Sequence, residues 1–241
     1  LKKEKVYIYP NEKEKIGCVE YVDHMGSDKD IVNAARASVG KESKKPFSEK
    51  DRELMKYLIE NKHTSPFEHV KLKCRFTVPL FVRSQHMRHR LWNFNELSRR
   101  FTDKDIQFYL PKSFRTQHEN NIQASNNDSI NPKIHTCVSM GESKLADLLV
   151  ESTTNKCFIA YQKLLDANIT REQARMILPQ NLYTTYIGTC DLHNLFHFLS
   201  LRLGEHAQYE IRVVAEALLY YCEQLFPEAT SLFKEVRLDD I

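Results

Sequence analysis

The clearest pattern in the chain is an alternation: Val70, Leu72, Cys74, Phe76 and Val78 are apolar, and Lys71, Lys73, Arg75 and Thr77 between them are polar. A period of two puts successive side chains on opposite faces of a pleated strand, so the segment predicts a strand with one buried face. Pro79 follows at once. A residue without an N–H suits the first turn of a helix, and PLFVRSQHMRHR therefore reads as a helix with a basic end. Elsewhere the period is helical. Ile31, Ala34, Ala35 and Val39 predict a helix over 30–38, preceded by a short strand over 18–22. Leu54, Leu58 and Ile59 predict a second helix, opened by a capping-box pattern from Ser48 to Asp51 and ended near Asn61 and Lys62.

From Gly141 to Asn168 the pattern is a long helix, and Thr170 to Gln173 reads as a second capping box opening a short helix to about Leu178. The Tyr- and Thr-rich stretch 181–187 predicts a strand, and 191–226 predicts two helices broken near Gly204 and stopped before Pro227. Between Lys112 and Ser139 the chain turns polar and Asn/Ser-rich, which predicts a mobile surface loop. No internal repeat is visible, and Gly (6) and Pro (8) are sparse enough to favour long regular elements over a strand-rich sandwich. The expected class is α+β, in a single domain over 1–241.

Composition narrows the function classes. Apolar residues at 41% and charged residues at 28% are ordinary globular usage, which excludes collagen-like, disulfide-scaffold and wholly disordered chains. The six cysteines lie far apart with no zinc-ligand spacing, so reduced thiols are expected. The start LKKEKVYIYP has no apolar run of signal-peptide length, and later apolar stretches are broken by charge, so a soluble, cytoplasmic protein without membrane association is expected. A net charge of +3 is too mild for a dedicated nucleic-acid binder, so any basic site must be local.

The local site is conspicuous. Gln85 to Arg100, QHMRHRLWNFNELSRR, together with Arg83, sets five arginines against one carboxylate, Glu96. Guanidinium forks match phosphate oxygens, and amide side chains offer donors and acceptors to a base, so the run suits a nucleotide site. A solvated basic helix end, or an Arg-rich track for a nucleic-acid backbone extended by Lys71, Lys73 and Arg75, would carry the same composition. Arg202, on the apolar segment LHNLFHFLSLRL, must either snorkel to solvent or find a partner. Trp92 suits either a ligand ring or packing, with packing favoured. Ser98 has no neighbouring base to make it a nucleophile and is assigned to binding. His63 and His69 bracket a Pro-Phe turn at a spacing without metal-site geometry, and no metal is expected.

Arg88-His89-Arg90, seven residues and Ser98 form the signature of the flavin-dependent thymidylate synthases, and the chain resembles that family at three further places. These are Asn33 to Ser38, His63 to His69, and Arg175 to Pro179 followed by Leu201-Arg202 and His206 to Gln208. The resemblance implies a central, mostly antiparallel sheet packed on long helices and a homotetramer with sites shared between subunits. It implies reductive methylation of dUMP to dTMP, with methylenetetrahydrofolate as carbon donor, FAD supplying the hydride and NADPH re-reducing the flavin. It assigns Ser38, His63, Ser65, Arg88, His89, Arg90 and Glu96 to FAD. Gln85, Arg88, Glu96, Leu97, Ser98, Arg99, Arg100, Arg175 and Arg202 go to dUMP, with Arg202 as the group that polarises the uracil. Where some family members carry N-x-R and a later Asn or His, this chain has Asp191, His193 and His197, also placed at FAD. Imidazole, unlike guanidinium, titrates near neutral pH, so FAD binding is expected to strengthen on acidification if His193 takes the arginine's place and not if it faces solvent. Asp191 would then orient the imidazole.

Overall fold

In a computed structural model, which describes residues 4–135 and 143–238, the alternating segment lies at the centre of the molecule. Leu72, Cys74, Phe76 and Val78 are at most 1% exposed, while Lys71, Lys73 and Arg75 face solvent. Each fully buried apolar side chain of this kind contributes about 1.5–3 kcal/mol, so this one face is a substantial part of the core.

In chain order the elements are β1 (Lys5–Tyr7), β2 (Cys18–Met25), α1 (Asp28–Ala37), α2 (Glu49–Glu60), a 3-10 turn (Ser65–His69), β3 (Lys71–Pro79), α3 (Leu80–His86) and β4 (Asn93–Glu96). They continue as β5 (Lys133–His135), β6 (Ser143–Leu145), α4 (Ala146–Asp166), α5 (Arg171–Ala174), a 3-10 turn (Arg175–Ile177), β7 (Tyr183–Asp191), α6 (Leu192–Arg202), α7 (Tyr209–Leu225) and α8 (Pro227–Phe233). The main sheet runs β1-β2-β3-β7-β4 with every pairing antiparallel, and β5 and β6 form a separate pair. The α+β class is as expected.

Several boundaries move for physical reasons. Strand β7 continues four residues past Ile187, because Lys71 to Arg75 of β3 pair with Asp191 to Ile187. The basic helix after Pro79 stops at His86. That imidazole is fully buried, bonded to the Tyr186 hydroxyl at 2.8 Å, and Trp92 packs edge-on against it at 4.5 Å. To bury both rings in one cluster the chain must turn between them, so Arg88-His89-Arg90 is a turn and not a helix end. Trp92 is thus packing, as favoured. Gly188 makes room for this cluster: a Cβ there would lie 2.9 Å from the Phe76 ring and 3.3 Å from Trp92.

Thr170 caps α5 only by position, with no side-chain bond to the helix backbone, so the second capping box is not formed. Pro227 stops α7 and opens α8 at its first turn. The polar stretch after Lys112 folds back on itself, with bridges Phe114 to Ile130 and Gln117 to Ser125. Residues 136–139 of that loop, Cys137 and Gly141 at the expected start of the long helix lie outside the described residues, and α4 begins at Ala146.

The capping box at Ser48 does form, and it anchors a larger group. The buried Asp51 carboxylate accepts from the Ser48 N–H (2.9 Å), Lys29 (2.9 Å) and Arg36 (2.5 Å). Burial opposes its ionisation, but the bonds from Lys29, Arg36 and Ser48 win and hold its pKa at about 2. A carboxyl below its unfolded value adds stability that is present above about pH 4 and lost as pH falls toward 2. Asp51→Asn is therefore expected to cost about 2 kcal/mol at pH 7, with a gap from wild type that narrows in urea titrations below pH 4. An undiminished gap at pH 3 would show that charge is not the cause.

Candidate functional site

The Arg-rich segment divides between two places. Strand β4 and the turn after it bring Glu96, Leu97, Ser98 and Arg99 to a cleft of about 350 Å³, closed by Leu80 and Arg83 of α3, Arg175, Leu178, Leu182, and Tyr183 and Thr184 of β7. Glu96 is fixed by two donors, Arg83 Nε at 3.1 Å and Thr184 Oγ1 at 2.7 Å. The Leu97 N–H is tied to the Thr185 carbonyl, and the Arg100 N–H donates to Ser98 Oγ. Arg99 is 8% exposed and donates to the carbonyls of Lys104 (2.5 Å) and Asp105 (3.2 Å). Burial pulls its pKa down from the usual guanidinium range, but arginine stays charged at neutral pH. Three arginines against one carboxylate leave the cleft cationic, which suits a phosphate-bearing ligand. Arg100 sits at its side in an exposed ion pair with Glu172 at 3.0 Å.

The second place begins at the Arg88-His89-Arg90 turn. Arg88 and Arg90 are exposed and, among the described residues, have no carboxylate within ion-pairing distance, whereas His89 points inward onto Phe198. Arg202, the last residue of α6, donates from Nε to His89 Nε2 at 3.2 Å, so this arginine is partnered instead of snorkelling. Burial, then the charges of Arg202 and His197, pull the His89 pKa down to about 4, leaving it a neutral acceptor at pH 7. His197 lies 6.3 Å from His89 and, with His193, lines an apolar cleft of about 310 Å³ walled by Leu58, Thr64, Phe67, Phe196 and Phe233. His63 and Ser65 are exposed on either side of Thr64. Ser38 ends α1, the helix packed against the same 3-10 turn, and its hydroxyl is spent on the Ala35 carbonyl.

Asp191 does not orient His193. Its carboxylate is the N-cap of α6 and takes both the N–H and the amide of Asn194 at 2.8–3.0 Å. Gln85 lies in neither cleft lining and is bonded to Gln208. Among the described residues no cluster of three or more His, Cys, Asp or Glu has metal-binding geometry, and no helix is long and apolar enough to cross a membrane.

Residues 20–228 match the family described as thymidylate synthase complementing protein. A flavin-dependent thymidylate synthase of Thermus thermophilus is 41% identical over 223 residues, 92% of this chain and 77% of the relative. The chain belongs to the flavin-dependent thymidylate synthase family. The Treponema denticola member is 39% identical over 220 residues, 90% of this chain and 79% of that protein. Among solved structures, the UMP/dUMP methylase PolB of Streptomyces cacaoi, bound with 5-Br dUMP, superposes with a TM-score of 0.76 at 31% identity, covering 91% of this chain and 95% of PolB.

For a flavin-dependent thymidylate synthase the residue-type signal picks out the arginines but not what holds them. Thr184 and Arg83, which fix Glu96, were missed as a pair: Thr184 looks like any strand threonine, and its partner is 88 residues away. The aromatic wall of the histidine cleft, Phe67, Phe196 and Phe233, reads as ordinary core for the same reason.

Proposed function

We propose that this chain methylates dUMP reductively to dTMP, taking the one-carbon unit from methylenetetrahydrofolate and reducing equivalents from NADPH through FAD. The observation that carries this is the cationic cleft. Five of the residues assigned to dUMP, Glu96, Leu97, Ser98, Arg99 and Arg175, line it together. Arg175 would meet the phosphate, the buried Arg99 would add positive charge to the lining, and Glu96, held by Thr184 and Arg83, would accept from a ligand donor.

The residues also fit FAD. Arg88 and Arg90 are exposed cations with no protein partner among the described residues, as a pyrophosphate requires, and the histidine cleft adds apolar walls beside them. When bound, FAD would supply the hydride that completes the methyl group. Among the described residues Arg202 bonds only through Nε, to His89, so its terminal nitrogens remain to polarise a pyrimidine carbonyl and stabilise negative charge on the ring.

The working form is a homotetramer with shared sites. Thr184, on the nucleotide cleft, and Asp191, next to His193, are seven residues apart on one strand, about 23 Å at 3.3 Å per residue. A hydride donor and acceptor must touch, and contributions from different subunits bring the two clefts together.

A nucleic-acid track is not favoured. Arg83 and Arg100 are tied up in ion pairs and Arg99 is buried, so the run offers no continuous basic face. The purified protein should be yellow and form dTMP from dUMP, methylenetetrahydrofolate and NADPH with FAD present. A colourless protein that takes up no FAD but binds oligonucleotides with a steep salt slope would reverse the assignment. At the histidine cleft, His193→Arg should tighten FAD binding, because a fixed guanidinium there attracts the cofactor's phosphates. Unchanged FAD affinity in the variant would show that position 193 does not face the cofactor's phosphates.

A further inference from the structure

Gln85 is held by a chain of polar groups that begins 30 residues further on, in the polar segment after Lys112. Glu210, near the start of α7, is only 6% exposed. Arg115 reaches it from that segment and donates from one terminal nitrogen to both carboxylate oxygens at 2.9 Å. Arg115 is itself fixed, by Nε on Ser125 Oγ at 3.0 Å and by the Tyr209 ring 5.0 Å from its guanidinium carbon. The same carboxylate accepts from Gln208 Nε2 at 2.9 Å and, more distantly, from the Tyr109 hydroxyl at 3.5 Å. Gln208 Oε1 in turn accepts from Gln85 Nε2.

The direction of these bonds is dictated by chemistry. An ionised carboxylate only accepts, so Gln208 must present its NH₂ to Glu210 and its oxygen to Gln85. Gln85 must then give its NH₂ to Gln208. Its own oxygen is left over, and that atom is buried without a hydrogen-bond partner among the described residues. A buried acceptor without a donor is costly, and a ligand that supplies the donor removes the cost.

We infer that Arg115 is a positioning residue which, through Glu210 and Gln208, fixes the polarity of the Gln85 amide so that its carbonyl oxygen selects a nucleotide presenting an N–H or O–H donor. The inference rests on Gln85 being a dUMP contact. Without Arg115 the buried Glu210 carboxylate loses the donor that ties it to the segment after Lys112, and it no longer fixes Gln208 in one orientation. Gln208 can then turn over, and Gln85 with it, so discrimination is lost while the amides remain.

The test is calorimetric titration of the FAD-loaded protein with dUMP, with an N3-methyl analogue lacking the base donor, and with a 3′-deoxy analogue lacking the sugar donor. Wild type should lose about tenfold in affinity for whichever analogue lacks the selected donor. Arg115→Met and Gln208→Met should bind dUMP about tenfold more weakly and no longer distinguish that analogue from dUMP, while Arg115→Lys retains most of the discrimination and FAD absorbance is unchanged throughout. Gln208→Met leaves the Arg115–Glu210 pair in place, so it tests the relay even where Arg115→Met fails to fold. If Gln85→Met weakens dUMP but Gln208→Met and Arg115→Met discriminate like wild type, the relay is wrong and the dUMP assignment of Gln85 stands. If Gln85→Met binds dUMP like wild type, that assignment falls and the inference with it.

Discussion

Replacing Arg202 with Ala is expected to lower the rate of dTMP formation by at least about 10²-fold while leaving the flavin bound. The size follows from position. Arg202 ends α6, where a cation is favoured by the helix dipole, and it is half-buried beside His89. Burial lowers the pKa of the guanidinium without discharging it, and a charge in such a water-poor place acts on a ligand far more strongly than one in bulk water. The neutral His89 ring takes one N–H and so orients the fork without competing for its charge. Arg202→Lys keeps the charge but loses the planar fork anchored at Nε, so it should recover only part of the loss. Single-turnover methylation measured beside flavin absorbance separates the two effects. Wild-type turnover in Arg202→Ala would remove the arginine from the chemistry, and loss of flavin together with activity would make it a cofactor ligand instead.

Why some of this was legible in the sequence and some was not comes down to the range of the interactions. The strand at 70–78 and the box at Ser48 are local patterns, set by side-chain period and by a reach of three residues, and both are present. The seven-residue spacer before Ser98 is also local: one turn places Trp92 in the core, β4 uses the next four residues, and Ser98 emerges at the cleft. Thr170 shows the limit of such patterns, since the right letters stand at the right spacing and no cap bond forms. Asp191 shows another limit. It is two residues from His193, yet its oxygens are taken by the backbone and amide of Asn194, because the first turn of a helix needs an acceptor there. His86 stands among arginines like a ligand but is wholly buried on Tyr186, Phe76 and Trp92, and burial drives its pKa down to about 3. Gln85 and Gln208 meet across 123 residues, and no local rule reports such a contact.

Two inactive variants of this chain, Arg202→Ala and Arg175→Ala, are expected to restore activity to each other when assembled together. In one subunit Arg175 lines the cleft of Glu96 and Thr184, whereas Arg202 is bonded to His89 and is not part of that lining. If each working site takes its Arg202 side from one subunit and its Arg175 side from a neighbour, a mixed assembly contains sites with both defects, sites with one and sites with none. With equal amounts and random assembly, the chance that both contributors are intact is one half times one half, so about one quarter of wild-type activity should return. Arg175 is exposed and, among the described residues, bonds only to the nearby Glu172 carbonyl, so its replacement is expected to leave the fold intact and confine the defect to the site. Coexpressing the two variants with different tags, purifying assemblies that carry both, and measuring dTMP formation decides the matter. Activity near one quarter establishes that neighbouring chains complete each site. Mixed assemblies as inactive as either parent would place both arginines in a site made by a single chain, and the 23 Å along β7 would then have to be spanned by the cofactor alone.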